Sequence, residues 1–187
     1  MTAMTTRAPR LPHGRPLTRA DLDALDPDDG HRYELIDGVL IVSPAPRHIH
    51  QRALGNLHLV LRAAATDAVE VLFAPFDVAL ADDTVMQPDL LVAQREAFTA
   101  RDLPTAPLLA IEVLSPSTRG IDLLLKKDRL ERAGCANYWV VDPDEPSVTA
   151  WALAEGAFRQ AARATSEEGF EVADPFPIRF TPASLIV

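Results

Sequence analysis

The feature that most constrains this chain is a glutamate in the middle of an apolar run. Glu112 stands in PLLAIEVLS (107–115), flanked by Ile111, Val113 and Leu114. Near-continuous apolar runs are the pattern of strands covered on both faces. A carboxylate buried in such a strand is costly unless it is paired, protonated or bound to metal. MQPDLLVA (86–93) has a related arrangement, with Asp89 opening an apolar run directly after Pro88. Two carboxylates on neighbouring strands, at or near the same end of a sheet, make a hard-oxygen site suited to Mg²⁺ or Mn²⁺. Such a metal can activate water and stabilise charge on a phosphoryl oxygen. The residues alone leave an equal alternative, in which Asp89 caps a turn and Glu112 pairs with a buried Arg or Lys.

A lysine supplies the third element. In a helix expected from about Asp122 to Ala133, stopped by Gly134, Lys126 is in line with Leu123, Leu130 and Ala133. That places it on the inward face, where it needs anionic company; the alternative is a lysine that packs its stem and reaches water. Lys127 shares a face with Glu131 and reads as a surface charge. Glu34, in RYELIDG, is a further acid in a β-prone run, and its alternation with Tyr33 and Leu35 reads first as that of an outward residue on an edge strand.

The remaining punctuation places these residues in a fold. Thr18 is an N-cap candidate for a short helix carrying Leu22 and Leu25, ended by Asp-Pro-Asp-Asp-Gly at 26–30. Asp37-Gly38 between RYELI and VLIVS is the strongest hairpin signal. Leu54, Leu57 and Leu61 mark one face of a helix from Arg47 to about Ala65. Strand-like runs follow at 69–80, 86–93 and 107–115, with ANYWVVDP after the 122–133 helix, then a hairpin around Glu155-Gly156 and a mixed tail. This order argues an α/β (α+β) sandwich: a mixed β-sheet flanked by helices. Residues 1–16, rich in Pro, Arg and Thr, read as a flexible N-terminal arm, and 17–187 as a single domain.

Six of these stretches, in series, resemble the PD-(D/E)XK nuclease superfamily, and more closely its Uma-two branch. They are YELIDG (33–38), SPAP with HQR (43–46, 50–52), QPDLLV (87–92), IEVLSPST (111–118), D-x-x-x-K (122–126) and AGCANYWVVDP (133–143). The resemblance implies a restriction-endonuclease-like core with Asp89, Glu112 and the Val113 carbonyl as metal ligands. It makes Lys126 the catalytic lysine, moved to the helix from the usual place two residues after the acid, where this chain has Leu114. It also sets Glu34 beside the site and His50 at the start of the long helix, in reach of phosphate or substrate. The chain departs from the branch at Leu130, which is usually tyrosine, and at Cys135, usually valine.

Together these readings point to a Mg²⁺- or Mn²⁺-dependent endonuclease acting on DNA, with His50, Arg52 and Ser115 as substrate contacts and Arg47, Arg52, Arg119 and Arg129 expected along a basic groove. Nucleases of this fold often pair to cut two strands, so a homodimer is a reasonable expectation. Two other classes stay open: a non-catalytic binding or regulatory module, and a hydrolase of another phosphorylated substrate. The latter suits the net charge of −9, from 18 basic and 27 acidic residues, which repels a polyanion at long range. Ser115, Ser117 and Thr118 read first as ordinary turn and cap residues, and second as phosphate contacts. His48, His50 and His58 lack a zinc-ligand spacing. Cys135, Tyr138 and Trp139 read as core. The lone cysteine fits a reducing cytoplasm, and no apolar run approaches the ~18 residues that span a bilayer.

Overall fold

The computed structural model describes Pro12, residues 14–25 and residues 31–187. The arm expected over 1–16 falls mostly outside the described residues, as does the helix stop at 26–30. The capping signal at Thr18 is realised: its N–H and Oγ1 both donate to Asp21 Oδ2, at 2.8 and 3.0 Å, and helix α1 spans Arg19–Asp23. Strands β1 (Arg32–Ile36) and β2 (Val39–Ser43) form the expected hairpin. Asp37 and Gly38 have φ of 49° and 77°, the left-handed pair that a two-residue turn between twisted strands requires. Helix α2 covers His48–Ala64 and buries Ala53, Leu54, Leu57 and Leu61.

The run at 69–80 divides. Its first half is β3 (Val69–Phe73), and its second is β4 (Val78–Ala81), in a different sheet. Pro75 lies between them and has no N–H to continue a ladder. β4 pairs with β5 (Thr84–Met86). After Pro88 the chain enters β6 (Leu90–Gln94), then β7 (Leu109–Val113). A helical segment follows, wound as a π-helix over Ile121–Lys126 and as α3 over Lys127–Arg132. Strand β8 is Asn137–Asp142; β9 (Ser147–Ala154) and β10 (Ala157–Thr165) make the second expected hairpin, with Glu155 and Gly156 at φ 53° and 79°. The tail holds a short antiparallel pair, β11 (Phe170–Val172) and β12 (Ile178–Phe180).

The central sheet has six strands in the order β10-β9-β8-β7-β6-β3, and the second has four, β2-β1-β5-β4. In the central sheet only β7 and β8 run parallel; the intervening helical segment is the crossover that parallel neighbours need. Alternation along β7 divides the core. Leu109, Ile111 and Val113 pack with Leu57 and Leu61 of α2, while Ala110 and Leu114 pack with Leu130, Tyr138, Ile36 and Met86 on the other side. Glu112, alternating with Ala110 and Leu114, belongs to that second side, where the helical segment and the four-stranded sheet approach. Cys135, Tyr138 and Trp139 are core residues, and burial pushes the Cys135 thiol up to about 12. Among the described residues no helix is long and apolar enough to cross a membrane.

Candidate active site

Cross-strand register brings the two acids together. Leu90 pairs with Ile111, so the next step of the antiparallel ladder sets Asp89 opposite Glu112. Asp89 Oδ2 accepts the Val113 N–H at 2.8 Å and lies 3.1 Å from His50 Nε2. Its Oδ1 accepts from Arg32 Nη1 at 2.8 Å. The Asp89 charge acts on Glu112. His50 reaches Asp89 because it stands in the first turn of α2, which lies over the sheet.

Lys126 is almost completely buried, at 1% exposure. Its Nζ lies 2.9 Å from Glu34 Oε2, 3.1 Å from Glu112 Oε1 and 3.6 Å from Asp122 Oδ1. The inward stripe is Asp122, Lys126 and Leu130, while Leu123 and Ala133 are only half-buried. The π-helical turn over Ile121–Lys126 carries both Asp122 and Lys126, and the Tyr138 hydroxyl donates to the Asp122 carbonyl at 2.7 Å. Glu34 is wholly buried, not the outward residue of an edge strand, because β5 pairs with β1 on the side away from β2. Its Oε1 accepts the Gln87 N–H at 2.7 Å.

These contacts set the protonation states. Burial tends to raise the Asp89 carboxyl, but the His50 hydrogen bond and the Arg32 guanidinium outweigh it and hold Asp89 well below the usual carboxylate range. Burial raises Glu112 well above that range; Lys126 opposes the shift, and Asp89, Asp122 and Glu34 reinforce it. Burial likewise raises Asp122. Burial would lower Lys126, yet Glu112, Glu34 and Asp122 more than compensate, so its ammonium stays charged.

The donor set fits a divalent cation. Glu112 Oε2 is buried with no hydrogen-bond partner, an expensive state that a cation would relieve. No group of three or more His, Cys, Asp or Glu among the described residues is arranged to hold a metal by itself. Two carboxylates and a nearby backbone carbonyl suit Mg²⁺ or Mn²⁺, ions that keep several of their own waters. Val113 follows Glu112 in β7, donates its N–H to Asp89 and lines the cavity.

Asp89, His50 and Arg32 border a cavity of about 930 Å³ together with Arg47, Ser115 and Thr118, whereas Glu34, Glu112 and Lys126 lie behind its wall. Ser115 Oγ lies 2.9 Å from Thr118 Oγ1, which donates to Asp122 Oδ2 at 2.8 Å, so the Ser-Pro-Ser-Thr turn links the cavity wall to the lysine cluster. The structure does not gather the expected arginines. Arg52 donates to the Ile186 carbonyl at 3.1 Å and is not part of the cavity wall. Arg119 pairs with Asp142 and Arg129 with Asp37; only Arg47 borders the cavity. Three further participants have no role assigned from the sequence: Arg32, Asp122 and Gln87, the last two standing in the D-x-x-x-K and QPDLLV stretches. Arg32 lies two residues from Glu34 on one strand and Asp122 four from Lys126, spacings that place each pair on a common face.

A family model described as Uma2, "Putative restriction endonuclease", matches residues 19–185. The chain belongs to the Uma2 family. The fold agrees with a crystal structure titled as a "putative nuclease belonging to DUF820" from Anabaena variabilis, with a TM-score of 0.72 at 18% identity, over 91% of this chain and 98% of that one. Comparison with curated proteins gives no match. Fold and family are therefore those of a restriction-endonuclease-like nuclease.

Proposed function

We infer that this Uma2 protein is a metal-dependent phosphodiester hydrolase acting on DNA. The observation that carries this is Asp89 set across the ladder from Glu112, with Lys126 Nζ 3.1 Å from Glu112 Oε1. Asp89, Glu112 and the Val113 carbonyl are the residues that would hold Mg²⁺ or Mn²⁺. When bound, the ion supplies electrostatic stabilisation of a phosphoryl oxygen and lowers the pKa of water. Lys126, kept charged by three carboxylates, orients the attacking water or stabilises the charge that gathers on the phosphorus oxygens. Glu34 holds Lys126 in place through its 2.9 Å contact. His50 fixes Asp89, and Ser115 offers a hydroxyl at the cavity wall. Arg52 is assigned no substrate contact.

One observation favours a second reading, hydrolysis of a smaller phosphorylated substrate. Arg119 and Arg129 are neutralised by aspartates, so among the described residues these two do not extend a basic groove to Asp89. The test is phosphodiester cleavage in Mn²⁺, on plasmid DNA, on single-stranded oligonucleotides and on bis-nitrophenyl phosphate. Lys126→Met, which keeps the side chain's length without its charge, should lower the rate ~100-fold or more. Cleavage of the small diester alone supports the second reading. No cleavage of any substrate, or cleavage that Lys126→Met leaves intact, sinks the assignment and favours a binding module.

A further inference from the structure

We propose that Arg32 is an exchangeable counter-cation of the metal site: it occupies Asp89 when the metal is absent, yields Oδ1 when a divalent ion binds, and then presents its guanidinium to the phosphate of the substrate. The proposal rests on the metal-site reading above and assigns a role to a residue outside the ligand set. Asp89 has two carboxylate oxygens, and they are unequal. Oδ2 is committed to the Val113 N–H, at 2.8 Å, and to His50, both fixed by backbone and helix. Oδ1 is held by Arg32 Nη1, at 2.8 Å. A cation that engages Asp89 without breaking the backbone contact must come to Oδ1, where it meets a positive charge already in place.

The arginine is built to move in a way that Lys126 is not. Lys126 is sealed among three carboxylates, whereas the Arg32 side chain is 23% exposed and borders the cavity. Its Nε lies 3.7 Å from Glu34 Oε2, so one edge of the guanidinium keeps an anionic neighbour when the other edge is released. The released edge would face the cavity with paired N–H donors, the fork that matches two oxygens of a phosphate. Together the Oδ1 contact, the partnerless Glu112 Oε2 and the cavity exposure of Arg32 make metal entry and phosphate capture one linked event.

The test uses the full chain. Mn²⁺ affinity is measured by calorimetry for the wild type and for Arg32→Gln, after thermal melting in chelator has shown that the variant folds. Removing the competing charge should tighten Mn²⁺ binding about tenfold. In parallel, the Arg32 Nε–H resonance, assigned by its loss in Arg32→Lys, is followed in the wild type during Mg²⁺ titration and then on adding inorganic phosphate. It should shift at each stage, and this arm stands even if Arg32→Gln does not fold. Unchanged or weaker Mn²⁺ binding by a folded Arg32→Gln overturns the exchange, as does an unmoved resonance while Mg²⁺ binds. A response to Mg²⁺ but none to phosphate overturns the phosphate role. If neither protein binds Mn²⁺, the metal-site reading fails, and this proposal with it.

Discussion

Asp89 and Glu112 face each other one ladder step beyond the Leu90–Ile111 pair, yet they are held in opposite electrostatic states. Asp89 receives a backbone N–H and a guanidinium and is held low; Glu112 is buried with one oxygen partnerless and is held high. A pair of carboxyls pushed apart in this way is a common mark of a functional site. The asymmetry also says which acid gains more from a cation: Glu112, whose charged form nothing else fully satisfies.

Calorimetric titration with Mg²⁺ or Mn²⁺ should therefore show binding by the wild type, weakened ~10-fold or more in Glu112→Gln, which keeps the shape and removes one charged oxygen donor. Equal binding by the two proteins would move the metal away from this pair.

The raised Glu112 carboxyl also makes stability depend on pH. Its folded-state value lies above the ordinary 4.5, so this group binds more protons in the folded protein than in the unfolded chain. The stabilising contribution is complete below 4.5 and is lost as the pH rises through the raised folded value. Glu112→Gln has no such proton to lose. In chelator, its unfolding free energy should gain on the wild type as the pH rises above 4.5, with a slope approaching about 1.4 kcal/mol per pH unit. Denaturant melts across a pH series measure this, and a pH-independent difference rules it out.

What the sequence made legible was local or periodic. Asp37-Gly38 and Glu155-Gly156 announce turns through residues that accept positive φ, and α2 shows its buried stripe at 54, 57 and 61. Glu112 and Asp89 stand out because charge in a covered strand is costly. Relations set by the tertiary fold were less accessible. The 69–80 run reads as one strand, and its assignment to two sheets depends on partners far along the chain. The expected arginines are basic residues near the motifs, and nothing local in the sequence pairs them. Their sites were decided by single ion pairs across long separations, such as Arg129 with Asp37. Arg32 escaped notice because, two residues from Glu34, it has the ordinary alternation of a strand. Only the arrival of Asp89 from another sheet makes it part of the site.

Gly38 has a demand that Gly156 lacks. Both have φ near +78°, but a Cβ on Gly38 would lie 2.4 Å from Pro16 Cβ, while one on Gly156 meets nothing within 4 Å. Gly38→Ala should cost roughly 1–3 kcal/mol from backbone strain, plus the displacement of Pro16 and of the Leu17 N–H that donates to the Gly38 carbonyl at 2.9 Å. Gly156→Ala should pay the strain alone. Denaturant melts of both variants decide it, and equal losses would rule out the Pro16 contact as a constraint.

Tyr138 ties the central sheet to the turn that presents the lysine. Its ring is fully buried against Phe158 and Trp151, and its hydroxyl is the donor to the Asp122 carbonyl at 2.7 Å. That carbonyl lies in the π-helical turn, where the ordinary helical hydrogen-bond spacing is interrupted. Tyr138→Phe keeps the packing and removes only the donor. It should lower unfolding free energy by about 1–3 kcal/mol, the range for a buried acceptor left without its partner. Because the same turn carries Lys126, hydrogen exchange should rise at the amides of 121–126 more than in β7 or β8. An even rise across all three would place the effect in global stability, and no rise would show that the hydroxyl does not hold the turn.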